Sequence, residues 1–243
     1  VDCRGARAMV EDGLLENAGA MVIGEPSNGE IFIAHKGALW VEVICYGKTA
    51  HGSMPEQGIN AIQYMNNFLN VLQKRFSFQY RADPLLGAPT LSPNVLVGGV
   101  KTNVVPDVCR LQIDIRTIPG QNHSEILDQL RSLTKEIEER TPATFEVKVL
   151  NDNPPVCTSS NEEIVQLALT TAEELFGRKF VPKGVRYYTD ASVFVPGTEG
   201  NLPVIIYGPG DEKMAHQPDE CIETKRYFEA IRFYKELALR WLT

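Results

Sequence analysis

Long apolar runs are missing from this sequence. The longest uncharged apolar stretches reach about five residues, against the roughly 20 that a helix needs to cross a bilayer. A helical membrane span is therefore excluded. An excess of positive charge is missing too: 24 Lys and Arg stand against 31 Asp and Glu, for a net charge of −7. Binding to a phosphate backbone needs a basic stripe, so nucleic acid is not an expected partner. Paired cysteines are also lacking. Cys3, Cys45, Cys109, Cys157 and Cys221 are odd in number, widely spaced and without a CxxC. That pattern argues against a disulfide frame or a zinc ribbon and for a reduced, cytoplasmic setting. No basic, apolar leader opens the chain, so secretion is not expected.

What remains is an ordinary globular composition. The 243 residues are 43% hydrophobic and 23% charged, which argues against disorder. At about 150 residues per domain, one to two domains are expected.

The opening segment reads as a helix from Arg4 to Leu15, with Ala6, Met9, Val10 and Leu14 on one face. A short run, Ala20 to Ile23, then predicts a buried strand ending in Gly24-Glu25-Pro26. A helix followed by a buried strand, with no strand before it, suggests that the sheet it joins begins before residue 1.

Residues 38–150 form a self-contained pattern. Positions 39–46 alternate as a strand covered on both faces, and apolar residues at 59, 62, 65, 69, 72 and 76 predict an amphipathic helix. Val95–Val100 reads as a second strand. Cys109, Leu111, Ile113 and Ile115 alternate with Arg110, Gln112, Asp114 and Arg116, the period of a strand with one wet face. Asn122 with Glu125 looks like a capping pair for a helix carrying Ile126, Leu130, Leu133 and Ile137. Phe145, Val147 and Val149 close the set. The order strand, helix, strand, strand, helix, strand is the split βαβ of a ferredoxin-like layer.

Beyond it, Pro154-Pro155 reads as a linker. Ser160 with Glu163 is expected to cap a helix ending at Gly177. Strands are expected near Gly184–Tyr187 and Pro203–Tyr207. A last helix, from about Glu223 to Leu242, should turn Phe228, Ile231, Tyr234, Leu237 and Trp241 inward. The fold class is therefore α/β: a partial α/β domain with a central sheet and flanking helices (1–36 and 153–243), with an inserted α+β ferredoxin-like βαββαβ domain (37–152).

In open α/β sheets, ligands bind beyond the carboxyl ends of strands. Met21–Gly24 runs into Glu25, Val185–Tyr188 into Thr189-Asp190, and Val204–Tyr207 into Gly208-Pro209-Gly210 and the loop to His216. If those strands are neighbours, Glu25, Asp190 and His216 converge. Such a set suits Zn²⁺ or a similar divalent ion, or a general acid/base pair. Each residue also has a plainer reading. Glu25 before a proline could serve a turn, Asp190 could cap the following helical turn, and His216 could be a solvated loop histidine. His51, in Gly47-Lys48-Thr49-Ala50-His51-Gly52-Ser53-Met54-Pro55, could be a turn histidine. His35 and His123 have no supporting pattern and read as structural or exposed. Cys157 and Cys221 have no nearby base to make either a nucleophile.

Read together, several segments resemble the M20 metallopeptidase family, whose members include acetylornithine deacetylase and succinyl-diaminopimelate desuccinylase. The matching stretches, in family order, are Val22-Ile23-Gly24-Glu25-Pro26-Ser27, His35-Lys36-Gly37, and Tyr46-Gly47-Lys48 through His51 to Gly58-Ile59-Asn60-Ala61. They continue with Thr102–Asp107 leading to Asp114-Ile115-Arg116, Thr189-Asp190-Ala191, and Gly208-Pro209-Gly210 through Ala215-His216-Gln217-Pro218-Asp219-Glu220.

The resemblance implies hydrolysis of an N-acyl amino acid or a related amide or peptide by an enzyme holding two divalent ions, zinc or else cobalt or manganese. Glu25 would be a ligand of one ion and His216 of the other. His51 would reach the partner subunit's site and stabilise the oxyanion. Asn103 and Arg116 would hold the substrate's carboxylate end. Thr189, Gly208 and Gly210 would line the pocket, and Asp190 would organise it. The inserted unit would be the lid and the contact of a homodimer.

The family's His-x-Asp motif, bridging aspartate and tandem Glu-Glu, whose first member is the general base, are absent. Cys3-Arg4-Gly5-Ala6-Arg7 matches the stretch just after that pair. With one ligand per ion, against the three usual for a catalytic zinc, this polypeptide alone is expected neither to hold two metals nor to hydrolyse amides. Two other classes stay open: a non-catalytic dimerising or regulatory module, and a metal-free amide hydrolase with His51 or His216 as base.

Overall fold

A computed structural model describes residues 3–198 and 202–243. They divide into two compact units. One takes the chain through Gly37 together with Asp83–Gly87 and Asn153–Thr243; the other takes Ala38–Ala82 and Ala88–Asp152.

The first unit opens with helix α1 (Arg4–Glu11) and strand β1 (Met21–Ile23). The helix stops short of the expected Leu15 because Gly13 takes a positive φ of 70°. Strand β1 is not fully buried: it hydrogen-bonds along one side only, and Val22 is 37% exposed. Strand β2 (Phe32–His35) follows, buried at every position. Four sheltered residues carry no alternation, so this strand has no periodic signature in the sequence.

The second unit is built from β3 (Gly37–Tyr46), α2 (Ala61–Arg75), β4 (Thr90–Gly98), β5 (Val108–Thr117), α3 (His123–Glu138) and β6 (Thr144–Asn153). Its sheet runs β4-β5-β3-β6, the strand order of a ferredoxin-like fold. Both helices cover one face. Leu39, Val41, Val43, Leu111, Ile113 and Ile115 meet Met65, Phe68, Ile126 and Leu130 in a single core. Asn60 starts α2 by accepting from the Ile62 and Gln63 amides, and Asn122 starts α3 by accepting from Ser124. β4 begins at Thr90, five residues ahead of the expected Val95. Ser92 and Pro93 hide its start, and Pro93 is tolerated because β4 is an edge strand with a bulge between Pro93 and Val95. Three side chains tie the far end of β5 to its neighbours. Thr117 Oγ1 lies 2.7 Å from His123 Nε2, and His123 Nδ1 lies 2.6 Å from Asp152 Oδ1.

Back in the first unit come β7 (Val156–Cys157), α4 (Glu163–Phe176), β8 (Lys183–Val185), α5 (Ala191–Gly197), β9 (Val204–Ile206) and α6 (Thr224–Leu242). Ser160 does not cap α4, which begins after Glu162 without a side-chain cap. The Ser160 carbonyl instead accepts from Gln166 Nε2 at 2.7 Å. The helix does end on Gly177 at φ +65°. The sheet order is β1-β9-β2-β7, with β8 also paired to β2. α4 and α6 pack on one face through Ile31, Ile33, Ile205, Tyr207 and Phe233. α1 and α5 pack through Ala6, Val156, Ala191, Phe194 and Val204. On α6 the inward residues are Ala230, Phe233 and Leu237, while Phe228 and Ile231 are 59% and 45% exposed. Thr158 links β7 to β9. Its hydroxyl donates to the Val204 carbonyl at 2.7 Å and accepts from the Val204 amide at 2.9 Å.

Candidate functional site

The strands that lead to the candidate residues are not all parallel. β1 runs parallel to β9, but β9 is antiparallel to β2, and β2 is parallel to β8. β8 therefore points the opposite way, and Asp190 does not emerge from a third aligned carboxyl end. It reaches Glu25 through the segment after β8, where the Tyr187 hydroxyl donates to the Pro26 carbonyl at 2.5 Å. Burial first, then the nearby Glu25 and Glu212 charges, push the Tyr187 phenol well above its ordinary value, so it stays a donor.

Glu25 sits where β1 meets the turn after β9. The Ser27 hydroxyl accepts from the Gly208 amide at 3.0 Å and faces the Gly208 and Glu30 carbonyls at 3.1 and 2.7 Å. The Ser27 and Gly29 amides both donate to the Gly208 carbonyl, and the Asn28 amide donates to the Gly210 carbonyl at 2.7 Å. A Cβ on Gly208 would run into the Glu25 carbonyl, so this approach of two chains requires glycine.

The Glu25 carboxyl reaches solvent, yet its pKa is raised. Partial desolvation is the main cause, the Asp190 charge adds to it, and His216 opposes it. The Asp190 and His216 charges therefore both act on the Glu25 carboxyl. His216 is held at φ +63°, and its amide donates to Glu220 Oε2 at 3.2 Å. Asp190 occupies the N-cap position of α5 but makes no side-chain cap bond. Buried Thr189 does that work, its Oγ1 accepting from the Ala191 amide at 3.2 Å. The capping reading of Asp190 is thereby corrected, and its carboxylate is left to other groups. One of these is Cys3, whose thiol is pushed up to about 12 by burial and by its hydrogen bond to Asp190. Sequence reasoning had no signal for Ser27, Tyr187 or Cys3, because each acts on backbone or side chains distant along the chain.

The donor set suits a divalent cation in part. Carboxylate and imidazole are both appropriate ligands, and a carboxyl raised beside a second acid is what a cation would relieve. Among the described residues, however, no group of three or more His, Cys, Asp or Glu is placed to hold a metal ion. Glu25 and His216 fit as contributors to such a centre, not as a closed coordination shell.

In the second unit, His51 stands exposed in a loop that pairs with the β4–β5 loop. The Gly52 amide donates to the Asn103 carbonyl at 2.8 Å, and the Val105 amide to the Ala50 carbonyl at 2.9 Å. The Ser53 amide donates to His51 Nδ1 at 3.2 Å, and the Ser53 hydroxyl lies 2.8 Å from the same nitrogen. An accepting Nδ1 places the proton of the neutral ring on Nε2, making that nitrogen a hydrogen-bond donor.

Asn103 lies beside His51, but Arg116 does not. Arg116 is seven residues along β5 from Cys109, which pairs Gly98 at the mouth of the Asn103 loop. At about 3.3 Å per residue, the two ends of that strand are roughly 23 Å apart. Asn103 and Arg116 therefore lie towards opposite ends of β5. The Arg116 Nε and Nη2 donate to Asp114 Oδ1 and Oδ2 at 2.8 and 2.9 Å.

Residues 33–142 match the M20 peptidase dimerisation domain. The chain is 25% identical over 262 residues to a probable succinyl-diaminopimelate desuccinylase of Staphylococcus epidermidis, covering 98% of this chain and 64% of that protein. It is 30% identical over 208 residues to an acetylornithine deacetylase of Proteus mirabilis, covering 83% of this chain and 51% of that protein. The chain thus spans one half to two thirds of the length of these relatives. Its fold superimposes on an M20 family metallo-carboxypeptidase of Sulfolobus solfataricus with a TM-score of 0.74 at 17% identity, covering 96% of this chain and 65% of that one. This chain carries an M20 peptidase dimerisation domain, and over most of its length it is similar to desuccinylases and deacetylases, with the fold of an M20 metallo-carboxypeptidase.

Proposed function

We propose that this chain is part of a di-metal amidohydrolase that cleaves N-acyl amino acids or related amides and peptides. The observation that supports the reading is that the Asp190 and His216 charges both act on the Glu25 carboxyl, although the three residues are far apart in sequence. Glu25 would hold one ion and His216 the other, with the remaining ligands and the general base supplied by residues outside this sequence. The ions, zinc or else cobalt or manganese, would polarise the scissile carbonyl and make a water molecule more acidic. Asp190 keeps the Glu25 carboxyl in place and tuned. Thr189, Gly208 and Gly210 shape the pocket wall beside the cleaved bond.

The Nε2 proton of His51 is offered to the oxyanion of a neighbouring subunit's substrate. Asn103 travels with His51, whereas Arg116, at the other end of β5, serves a different site of the dimer. Each substrate carboxylate thus meets Asn103 and Arg116 from two protomers. The homodimer contact we assign to β4. Leu96 and Val97 are 53% and 60% exposed on this edge strand, and the matched dimerisation segment ends at 142, before β6. A reducing, cytoplasmic setting fits the free cysteines.

The test has two parts. Metal analysis of this chain after exposure to Zn²⁺ should find fewer than two equivalents bound; two tightly held equivalents would overturn the assignment of outside ligands. A protein carrying this sequence together with the remaining length of its relatives should release acetate or succinate from N-acyl amino acids and stop doing so in excess chelator. Hydrolysis that survives the chelator would favour His51 or His216 as a metal-free base. A second reading, a purely dimerising module, draws on the exposed β4 edge. Absence of any amide hydrolysis with intact dimers would support it.

A further inference from the structure

The geometry points to Asp114 as the positioning residue that aims the Arg116 guanidinium at a substrate carboxylate. The inference rests on the reading of Arg116 as the carboxylate contact given above. Both residues lie on the face of β5 turned away from α2 and α3, two positions apart, so their side chains emerge side by side. Asp114 takes the Nε–Nη2 edge of Arg116 with both oxygens, at 2.8 and 2.9 Å. A guanidinium has two edges that can receive a carboxylate in parallel bonds, and occupying the Nε edge directs the other, Nη1 with Nη2, along one line.

The backbone beneath is fixed as well. The next residue, Thr117, is fully buried and bound to His123, which is bound to Asp152. Arg116 is therefore held at two levels, its strand by the Thr117–His123–Asp152 chain and its head group by Asp114.

The ion pair itself is partly solvated, with about a quarter of each side chain exposed, and such pairs stabilise folds little. Its charge also opposes anion binding, since Asp114 cancels the charge that Arg116 offers. A pair that costs attraction and adds little stability is accounted for by orientation, because a carboxylate bound by a fixed fork loses less freedom than one bound by a mobile arginine.

The two effects have opposite signs, which makes the experiment decisive. N-acetylglycine, the smallest N-acyl amino acid, is titrated into the full chain while the Arg116 Nε–H signal, assigned through Arg116→Lys, is followed by NMR. In the wild type that signal should shift on titration. Asp114→Asn should weaken binding about fivefold, about 1 kcal/mol, although the variant is less negative, and the thermal midpoint should hold. Asp114→Glu, which keeps the charge and the pair, should recover most of the affinity and guards against a folding defect. Equal or tighter binding by Asp114→Asn would overturn the positioning role alone. A wild-type Arg116 signal that does not respond at all, or binding that Arg116→Lys leaves intact, would overturn the carboxylate reading of Arg116 and this inference with it.

Discussion

The Ser27 hydroxyl accepts from the amide of Gly208 at 3.0 Å, across 181 positions of sequence, and both residues are buried. With the backbone bonds beside it, this contact joins the turn that carries Glu25 to the loop that leads to His216. Ser27→Ala leaves a buried amide without its partner, at a cost of about 1–3 kcal/mol. Gly208→Ala should cost more, because its new methyl meets the Glu25 carbonyl, which is backbone and cannot swing aside. Urea unfolding should rank the variants in that order. Equal stabilities would mean that the two turns are not held against each other.

Glu25 gives a pH dependence of known sign. Its carboxyl is raised from the ordinary 4.5, chiefly by desolvation and then by Asp190, so the folded state prefers it neutral. The stability linked to it is fully present below pH 4.5 and is lost as pH rises through the raised value. Asp190→Asn removes the neighbouring charge, and NMR of the Glu25 carboxyl should show its midpoint moving down. A midpoint that stays put would separate the two acids in solution. For the same reason, cation uptake should release a proton on the acid side of that midpoint and release none well above it.

His35 predicts the opposite slope. Its ring is fully buried, with Nδ1 bonded to the Lys36 carbonyl at 2.9 Å and, among the described residues, no partner on Nε2, and desolvation lowers its pKa from 6.5 to about 4. Stability from the neutral ring is complete above 6.5 and is lost as pH falls from 6.5 towards 4. Between pH 7 and pH 5 the loss should be about 2 kcal/mol relative to His35→Leu, which has no proton to gain. Parallel denaturation curves for the two proteins across that range would show that His35 does not titrate this way.

On the β4 edge, Leu96→Lys or Val97→Lys should weaken self-association by about tenfold or more, because a lysine there must be desolvated or expelled. Val149→Lys, on the opposite edge strand β6, is the control and should leave the dimer intact. Sedimentation equilibrium distinguishes the two edges. A dimer broken by the control alone would move the interface to β6.

In a complete, active protein carrying this sequence, His51→Ala should lower kcat by about 10²–10³ with metal content unchanged, the effect of losing one oxyanion donor. Ser53→Ala should do less, because the Ser53 amide still fixes the ring. Turnover that survives His51→Ala would remove the Nε2 proton from the reaction.

The inserted unit was legible because its physics is local. The two-residue alternation from Cys109 to Arg116 and the Asn122 cap each depend on residues a few positions apart, and the strand order follows. The first unit was harder to read. β2 is four buried residues with no polar phase, and β7 is two residues long. β8 carries nothing in its sequence to state that it runs against β9. The two stripes of α6 show the same limit. Phe228 and Ile231 satisfy a helical period as well as Phe233 and Leu237 do, and only the position of the sheet decides which face is covered. At the site, glutamate and histidine were visible as chemistry-bearing residues. The serine, tyrosine and cysteine nearby act through backbone carbonyls, amides or a carboxylate from distant segments, and a linear pattern does not record that.

The bond from the Tyr187 phenol to the Pro26 carbonyl has a mechanical consequence. Pro26 follows Glu25 directly, and Tyr187 stands three positions ahead of Asp190, so one short tether joins the two acid-bearing segments. The phenol thus fastens the backbone next to the first acid to the segment that leads into the second.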